Sequence, residues 1–385
     1  MRHFTRFDLR RVPSPCFVVD EVALEENLQL LAHVQRESGA RVLLALKAFS
    51  MFSLAPLVRR YLSGTCASGL HEARLGREEF GGEVHTFCAA FSDRELRSVL
   101  EISDHVVFNS CEQLERFATI LEEAHARRPG LNYGIRINPE HSEGTTSLYD
   151  PCAAGSRLGV VRSRFRCDRL DLISGLHFHT LCEQDLPPLA RTLAAVEREF
   201  GDFIPQMRWV NFGGGHHITR SGYQVDELIR LIQDFRSRHG VQVYLEPGEA
   251  VAWQCGILVS EVLDLGWNGI AQAILDTSAS CHMPDVIEMP YRPALSGAGA
   301  AGEHPHLYRL GGQTCLAGDV IGDYAFPDPL VIGQRLAFED MAHYTMVKTT
   351  TFNGINLPSI AIWNSASDEL RIVRRFGYED FRSRL

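Results

Sequence analysis

Lysine is rare in this sequence, and one of its two lysines follows a strongly apolar stretch. Lys plus Arg total 38, and the two lysines are Lys47 and Lys348, so the other 36 are arginine. Lys47 ends the segment RVLLALK at residues 41–47. A desolvated lysine can lose its proton and act as a nucleophile, whereas arginine stays protonated. Lys47 is therefore a candidate Schiff-base amine. The alternative is a charged strand end whose stem lies along apolar surface.

Three further motifs contain residue types that bind ligands. In the segment HFH, His177 and His179 are two residues apart, so in a strand both side chains point to the same side. Such a pair could bind a metal ion or form a hydrogen-bonded core pair. The triple glycine Gly213–Gly215 could be a tight turn or a loop whose backbone N–H groups bind an anion. Glu246, in EPGEA, adds a carboxylate after another apolar segment.

Eight apolar, strand-like segments lead up to these residues, and helix-like segments separate most of them. The predicted strands are 41–46, 64–67, 84–89, 105–109, 131–138, 173–179, 207–212 and 241–246. The predicted helices include 21–37, 111–128 and 225–240. Eight strands that alternate with helices predict a (β/α)8 TIM barrel. An open doubly wound sheet is disfavoured because no G-x-G-x-x-G motif follows the first strand.

A barrel would bring the candidate residues to one rim, because barrel active sites form at the carboxyl ends of the strands. The rim residues are Lys47 after the first strand, His179 at the sixth, Gly213–Gly215 after the seventh and Glu246 at the eighth. A metal hydrolase would carry its H-x-H pair on the first strand, where this sequence has a lysine, so we predict no metal site. A nucleophilic lysine, a phosphate-binding loop, a flat imidazole and a carboxylate together indicate a site for pyridoxal 5′-phosphate (PLP).

The sequence changes in character from about residue 251. Short β-like segments such as GILVSEVLDLG and LPSIAIW are separated by Gly and Pro turns, which is typical of an all-β domain. We therefore predict an α/β protein with a PLP-binding barrel over residues 21–250. A C-terminal β-sandwich or β-barrel domain would cover residues 251–385 and include a strand from residues 1–20.

Composition narrows the functional classes. The net charge of −10 and the lack of a basic block exclude nucleic acid as a partner and suit a cationic substrate. The ten cysteines contain no C-x-x-C pair, which predicts free thiols and a reducing compartment. The basic start is not followed by the apolar segment of a signal peptide, and no apolar run approaches membrane-spanning length. We therefore expect a cytoplasmic protein without membrane contact.

Six motifs, in order along nearly the whole chain, resemble those of a known enzyme family. The motifs are LLALKAF, GLHFHTLCEQ, NFGGGHHITR, EPGEA, GGQTCLAGD and DMAHYTMVKTTTFNG. They resemble the fold-type III PLP enzymes, which combine an alanine racemase-like barrel with a β-domain. They are most similar to the decarboxylase branch, and within it to carboxynorspermidine and carboxyspermidine decarboxylases. The resemblance implies a PLP-dependent carboxy-lyase of polyamine biosynthesis, with a small cationic carboxy-polyamine substrate and a homodimer whose active sites lie at the interface.

The resemblance also implies roles for individual residues. The implied catalytic residues are Lys47 as the PLP-bearing amine, His179 as the ring-stacking imidazole, Glu246 as the pyridinium partner and Cys315. Cys315 would reach across the dimer interface and protonate Cα. The other implied cofactor contacts are Arg157, Gly213, Gly214, Gly215 and Tyr344. The implied substrate contacts are Asp319 near the substrate amine, with Glu249, Asp285 and Glu288 for polyamine nitrogens.

Two residues depart from the family pattern at the phosphate. Many relatives read EPGR, with the arginine on the phosphate, whereas this sequence has Glu249 at that position. Cys182 stands where ornithine decarboxylases have a phosphate-binding serine. The phosphate would therefore be bound without the arginine and the serine that relatives use, and Glu249 would suit a long polycation.

Four other activities remain as alternatives. A diaminopimelate decarboxylase would need arginine around the distal pocket, and a racemase would need a second base, usually a β-domain tyrosine. A non-catalytic PLP carrier usually lacks the β-domain. A metal hydrolase would lose activity to chelators. Carboxynorspermidine and carboxyspermidine differ by one methylene, so the sequence leaves the preference between them open.

Overall fold

The computed structural model describes residues 3–144 and 146–385, which form two compact units. The barrel unit comprises Asn27–Val251. The β unit comprises the residues up to Glu26 together with Ala252–Leu385.

The barrel unit contains eight parallel strands that close into a barrel, which confirms the predicted (β/α)8 fold. Its strands are β2 (Arg41–Ala45), β3 (Gly64–Ala67), β4 (Glu83–Phe87), β5 (His105–Phe108), β6 (Asn132–Asn138), β8 (Gly175–His177), β9 (Trp209–Asn211) and β10 (Gln242–Leu245), with a short β7 (Val160–Val161) beside β6. β2 pairs with β10, and β5 pairs with β6, so the sheet has no open edge. Each predicted strand lies within three residues of an observed one.

Helices follow most of the barrel strands. They are α1 (Glu21–Ser38), α2 (Ala55–Val58), α3 (Leu70–Leu75), α4 (Asp93–Ile102), α5 (Cys111–Arg116), α6 (Ala118–Arg127), α7 (Leu186–Phe200), α8 (Val225–His239) and α9 (Glu249–Ala252), with a π-helical turn at Gly76–Phe80. The predicted helix 111–128 is two helices, because Phe117 leaves the helical conformation with ψ of 2° while its ring is buried. Single turns and β7 connect β6 to β8 in place of a long helix.

The barrel strands are apolar because both of their faces are buried, as is usual for parallel strands covered by helices. In β2, Val42, Leu43 and Leu44 are all fully buried. Full burial explains the near-continuous apolar run before Lys47. Lys47 follows this apolar run, just beyond the end of the strand.

The β unit is built on one mixed sheet. Its strands are β1 (Cys16–Asp20), β11 (Gly256–Trp267), β12 (Ala271–Leu275), β13 (His306–Gly311), β14 (Val320–Phe326), β15 (Arg335–Glu339), β16 (Ser359–Trp363) and β17 (Leu370–Arg374). β1 pairs antiparallel with β11 and parallel with β16, so the N-terminal strand joins strands from the C-terminal third. Short helices accompany the sheet: α10 (Ala279–His282), α11 (Asp285–Glu288) and α12 (Tyr378–Arg382).

One cysteine pair differs from the prediction. Cys111 and Cys167 form a disulfide between α5 and the turns that precede β8, so the expectation that all ten cysteines are free is wrong for this pair. The two residues are 56 apart in sequence, and their spacing carries no pairing signal. The other eight cysteines are free thiols. Within the described residues, no helix combines the length and apolar character that a membrane crossing requires.

Candidate active site

Lys47 lies in the turn directly after β2, at the carboxyl end of the barrel strand. Its side chain is exposed, so the expectation of a lysine desolvated by the strand is wrong for the chain by itself. The Nζ atom lies 3.4 Å from Nε2 of His179. An accessible amine beside an imidazole is suited to attack a carbonyl carbon.

His179 follows β8 and is anchored through both ring nitrogens. Its Nδ1 lies 3.2 Å from the amide nitrogen and 3.1 Å from the carbonyl oxygen of Gly214, while Nε2 faces Lys47. Burial, followed by the charges of Lys47 and Arg136, lowers the pKa of His179 well below its usual value. The ring is therefore a fixed, neutral, flat surface at pH 7.

Glu246 follows β10 and is held as an anion by two donors. Asn211 Nδ2 donates to Oε1 at 2.7 Å, and His177 Nε2 lies 3.2 Å from Oε2. Burial would raise the pKa of Glu246, but His177 and the hydrogen bond from Asn211 outweigh burial and hold this pKa well below its usual range. Burial also lowers the pKa of His177, so the neutral ring donates its Nε2 proton to the carboxylate.

The glycine loop lies against the ends of the neighbouring strands. Gly213 and Gly215 have φ values of +69° and +87°, which disfavour any side chain. A Cβ on Gly215 would lie 1.9 Å from the carbonyl oxygen of Leu181, and one on Gly214 would lie 2.1 Å from that of Glu246. Asn211 Oδ1 accepts the Gly213 amide at 2.8 Å, so this one side chain ties the loop to the carboxylate.

Two arginines lie near this rim, and sequence reasoning named one of them. Arg136, inside β6, is 5% exposed and donates to the carbonyl oxygen of His179 at 3.0 Å. Burial lowers the pKa of Arg136 to about 10, which still leaves it charged at pH 7. The predicted Arg157 is exposed, and its carbonyl oxygen accepts from Asn109 Nδ2 at 2.7 Å. The charge of Arg157 makes a small further contribution to the lowered pKa of Arg136.

The two residues that depart from the family pattern both lie in the barrel unit. Glu249 begins α9 and is partly buried, with Oε2 3.8 Å from Nε2 of His217. Burial raises the pKa of the Cys182 thiol to about 11, and nearby charges, including that of Glu249, add to the shift. The thiol is therefore neutral at pH 7 and adds no charge to the loop.

In the β unit, Cys315 lies in the exposed loop between β13 and β14. Its amide donates to Oδ1 of Asn353 at 2.8 Å. Asp319 closes the same loop and is 5% exposed. It accepts hydrogen bonds from Thr314 Oγ1 at 2.7 Å and from Ser278 Oγ at 2.9 Å. Asp319 therefore fixes the base of the loop that carries Cys315.

Asp285 and Glu288, both in α11, bind the second lysine of the chain. Lys348 Nζ donates to Glu288 Oε2 at 2.8 Å and also pairs with Asp285. Partial burial would lower the pKa of Lys348, but the two carboxylates outweigh burial and raise it. The structure therefore shows these carboxylates already sharing one ammonium, which the sequence did not predict. Tyr344, four residues earlier, is partly buried with a φ of +45°.

A third group of polar residues lies at the amino ends of the barrel strands. Among the residues that the structure describes, Glu83, His85 and His105 bring potential metal ligands within 4.8 Å of one another. The two imidazole rings stack at 3.9 Å with a 10° angle between their planes, and Arg41 pairs with Glu83. Parallel rings direct their lone pairs along parallel lines, so this group is better described as a buried aromatic stack than as a preformed metal site.

The residues on the rim of the barrel unit fit PLP. The amine of Lys47 suits the cofactor carbonyl, and the ionised Glu246 suits a protonated ring nitrogen. The neutral ring of His179 suits the face of a pyridine. The partly buried carboxylate of Glu246, with a separate donor on each oxygen, is the structural observation that favours this ligand, because a rigid anion with little solvent around it calls for a cationic partner.

Sequence reasoning missed four residues that form hydrogen bonds with the candidate site residues. Asn211 and Arg136 are polar residues in otherwise buried strands, and that position is a signal that could have identified them. His177 was noted as half of an H-x-H pair but was given no role. Asn353 lies 38 residues from Cys315, and no local signal links the two.

The chain belongs to the pyridoxal-dependent decarboxylase family. It matches the family profile described as "Pyridoxal-dependent decarboxylase, C-terminal sheet domain" over residues 16–342. This match, together with the relatives below, confirms the prediction of a carboxy-lyase.

Individual relatives match almost the entire chain. The chain is 45% identical over 379 residues to carboxyaminopropylagmatine decarboxylase of Synechocystis sp., covering 98% of this chain and 96% of the relative. It is 43% identical over 385 residues to carboxynorspermidine/carboxyspermidine decarboxylase of Campylobacter jejuni, covering 97% and 99%. The crystal structure of carboxynorspermidine decarboxylase from Campylobacter jejuni, complexed with norspermidine, superposes with a TM-score of 0.88 at 42% identity. That alignment covers 97% of this chain and 100% of the other.

Proposed function

We propose that the protein is a PLP-dependent decarboxylase of carboxylated polyamines. It would convert carboxynorspermidine to norspermidine, carboxyspermidine to spermidine, or both. The observation that carries the proposal is the partly buried, ionised Glu246 in the same barrel unit as the accessible amine of Lys47. The near full-length identity to relatives named for carboxylated polyamines supports the substrate class.

The reaction replaces a carboxylate on Cα with a proton. PLP, when bound, supplies an electron sink for the pair left when the Cα–carboxylate bond breaks and CO2 departs. In the proposal Lys47 holds the cofactor covalently between turnovers, and Glu246 keeps a proton on the ring nitrogen. His179 covers one face of the ring. Arg157, Tyr344 and the loop Gly213–Gly215 bind its polar groups.

The proposed acid that protonates Cα is Cys315 of the partner subunit, in a homodimer with active sites at the interface. This part of the proposal comes from the motif GGQTCLAGD. The exposed thiol supports it, because an acid that serves another subunit must lie at the surface. Two large apolar side chains near the thiol are exposed: Leu316, next to Cys315, is 44% exposed, and Phe352, next to Asn353, is 47% exposed. Exposed apolar side chains suit a surface that a second copy of the chain covers.

The substrate's cationic groups require acidic partners. We propose that Asp319 lies near the reacting amine and that Glu249, Asp285 and Glu288 attract the other nitrogens. Lys348 neutralises part of the charge on Asp285 and Glu288. A substrate ammonium that reaches these two carboxylates would therefore share them with Lys348 or displace it.

Carboxyaminopropylagmatine is a second candidate substrate, favoured by the 45% identity to the Synechocystis enzyme. Its distal group is a guanidinium, whereas the distal group of carboxynorspermidine is an ammonium. We also propose a cytoplasmic location, because a reducing compartment would preserve the exposed thiol of Cys315.

The test is CO2 release by the purified, PLP-loaded protein. Carboxynorspermidine, carboxyspermidine, carboxyaminopropylagmatine and meso-diaminopimelate are supplied in parallel at equal concentration. We expect release from at least one carboxylated polyamine and none from diaminopimelate. Release from diaminopimelate alone would assign the protein to another reaction and refute the proposed role of Glu249 and Glu288. An intact visible PLP band with no CO2 from any of them would favour a racemase.

A further inference from the structure

The position of the Cys315 thiol is not set by packing of its own side chain. Residue 313 and residues 315–318 are all exposed, so this part of the loop has little buried surface of its own. Exposed loops that lack buried apolar contacts open readily unless hydrogen bonds hold them. The hydrogen bonds of the backbone therefore decide where the thiol points.

Two side chains from other parts of the β unit, Ser278 and Asn353, hold this loop. Asp319 accepts from Thr314 and Ser278, which fixes the base of the loop to the start of α10. Asn353 Oδ1 accepts the amide of Cys315 itself at 2.8 Å. The second contact is the closer one to the reactive thiol, because it acts on the same residue.

Asn353 has an unusual backbone conformation that matches its contact. Its φ and ψ are 56° and 13°, in the left-handed region, and Gly354 follows with a φ of 73°. Glycine, asparagine and aspartate are the residues that most readily adopt this conformation. Only asparagine and aspartate among the three have a side-chain oxygen that can accept an amide hydrogen bond. The position therefore requires both a left-handed backbone and a short acceptor.

The segment that carries Asn353 is itself fixed. The Thr350 amide donates to the carbonyl oxygen of Cys281 at 2.8 Å, and the Cys281 thiol donates to the carbonyl oxygen of Phe352 at 3.6 Å. Cys281 belongs to α10, which begins directly after Ser278. Both anchors of the Cys315 loop thus lead to the same buried helix.

We infer that Asn353 is a positioning residue that directs the Cys315 thiol toward the carbon it protonates. This inference rests on the proposed function, in which Cys315 of the partner subunit supplies the proton. Asn353 contacts neither substrate nor cofactor in this account. It acts by fixing the backbone of the acid.

The test compares Asn353→Gly with Asn353→Asp in the PLP-loaded protein. Glycine keeps the left-handed backbone but removes the acceptor, whereas aspartate keeps both, so the pair separates the hydrogen bond from backbone strain. The first readout is hydrogen–deuterium exchange of the Cys315 amide, which does not depend on activity. We expect exchange about fivefold faster in Asn353→Gly, the effect of losing one ordinary hydrogen bond, and near wild-type exchange in Asn353→Asp.

The second readout is the product. A proton delivered to the cofactor carbon instead of Cα leaves, after hydrolysis by water, pyridoxamine phosphate and an aldehyde in place of the amine. We expect the aldehyde fraction to rise in Asn353→Gly while KM is unchanged, and Asn353→Asp to restore the amine. Asn356→Ala is the matched control, because its side chain donates to the carbonyl oxygen of Phe376 at 3.1 Å and does not touch the loop.

Two outcomes would overturn the inference. One is unchanged exchange of the Cys315 amide in Asn353→Gly. The other is faster exchange with an unchanged product ratio, in a protein whose Cys315→Ala variant does form the aldehyde. A Cys315→Ala variant that itself forms only amine would instead reject the proposed role of Cys315, so the two failures can be told apart.

Discussion

The barrel unit holds Lys47, His179 and Glu246 just after buried strands, whereas the β unit holds Cys315 and Asp319 in a loop. Glu246 receives a separate donor on each oxygen from residues of adjacent strands, and the glycine loop packs directly on the strand ends. In the β unit, Cys315 lies in an exposed loop that is fixed by hydrogen bonds with Asn353 and Ser278, which belong to distant segments. The barrel thus offers a rigid frame for a bound cofactor, and the β unit offers groups that can adjust to a substrate.

The largest expected effect comes from the barrel lysine. Lys47→Ala should abolish covalent PLP attachment and lower kcat by about 10³-fold or more, because the substitution removes the amine that bonds to the cofactor. The measurement is the mass of the protein after borohydride reduction with PLP, alongside the visible spectrum. Lys348→Ala is the matched control, since Lys348 is the other lysine of the sequence. Reduced PLP on the Lys47→Ala protein would contradict the assignment.

The second largest effect is expected on removing the negative charge of Glu246. Glu246→Gln keeps the shape of the side chain and removes its charge, so PLP should still attach while kcat falls by about 10²- to 10³-fold. The measurement is kcat for CO2 release with the best carboxy-polyamine. Glu83→Gln, at the amino end of β4, is the control and should leave kcat near the wild-type value. An unchanged kcat in Glu246→Gln would show that the ring nitrogen needs no anionic partner.

The barrel should also be the acid-sensitive unit. Burial lowers the pKa of His85 to about 4 and that of His105 to about 2, against an unfolded value near 6.5. Because both pKa values are lower in the folded protein, the unfolded chain binds more protons below pH 6.5. The free energy of unfolding is therefore highest above pH 6.5 and falls as the pH drops toward 4. We expect a loss on the order of 3 kcal/mol for each histidine between pH 7 and pH 4.

Urea unfolding of the wild type and of His105→Phe at pH 7, 5.5 and 4.5 measures this effect. Phenylalanine can stack on His85 but cannot titrate. The free energy of unfolding of the His105→Phe protein should therefore depend less steeply on pH than that of the wild type. Equal pH dependence in the two proteins would mean that His105 is not the group that titrates.

The smallest expected effect lies in the β unit. Asp285→Asn should raise KM for carboxynorspermidine about fivefold with little change in kcat, because a partly exposed ion pair contributes about 1 kcal/mol or less. Initial rates across substrate concentration measure the two constants separately. A fall in kcat without a change in KM would place Asp285 nearer the reacting carbon than the proposal does.

The contrast between residues held at strand ends and residues held in a loop also explains which parts of the site could be predicted from the sequence. The barrel strands followed from their apolar character, and the rim residues from the polar groups that follow several of these buried strands. The partners of Glu246 were harder to find, since Asn211 and His177 become adjacent to it only when separate strands pair. In the β unit, Cys315 and Asp319 were found through the family resemblance. The hydrogen bonds between Asn353 and Cys315 and between Lys348 and Glu288 join segments that are far apart in the sequence, so no local pattern could predict them.

In the proposed mechanism, one reaction needs the barrel of one subunit and the thiol of the other. The most direct test mixes two proteins that should each fail to form the amine product, Lys47→Ala and Cys315→Ala, under conditions that allow subunits to exchange, with different tags to verify heterodimers. A heterodimer would contain one intact site, so random exchange should restore about a quarter of the wild-type rate of amine formation. Verified heterodimers with no recovered activity would contradict the shared site, and with it the division of the chemistry between the two units.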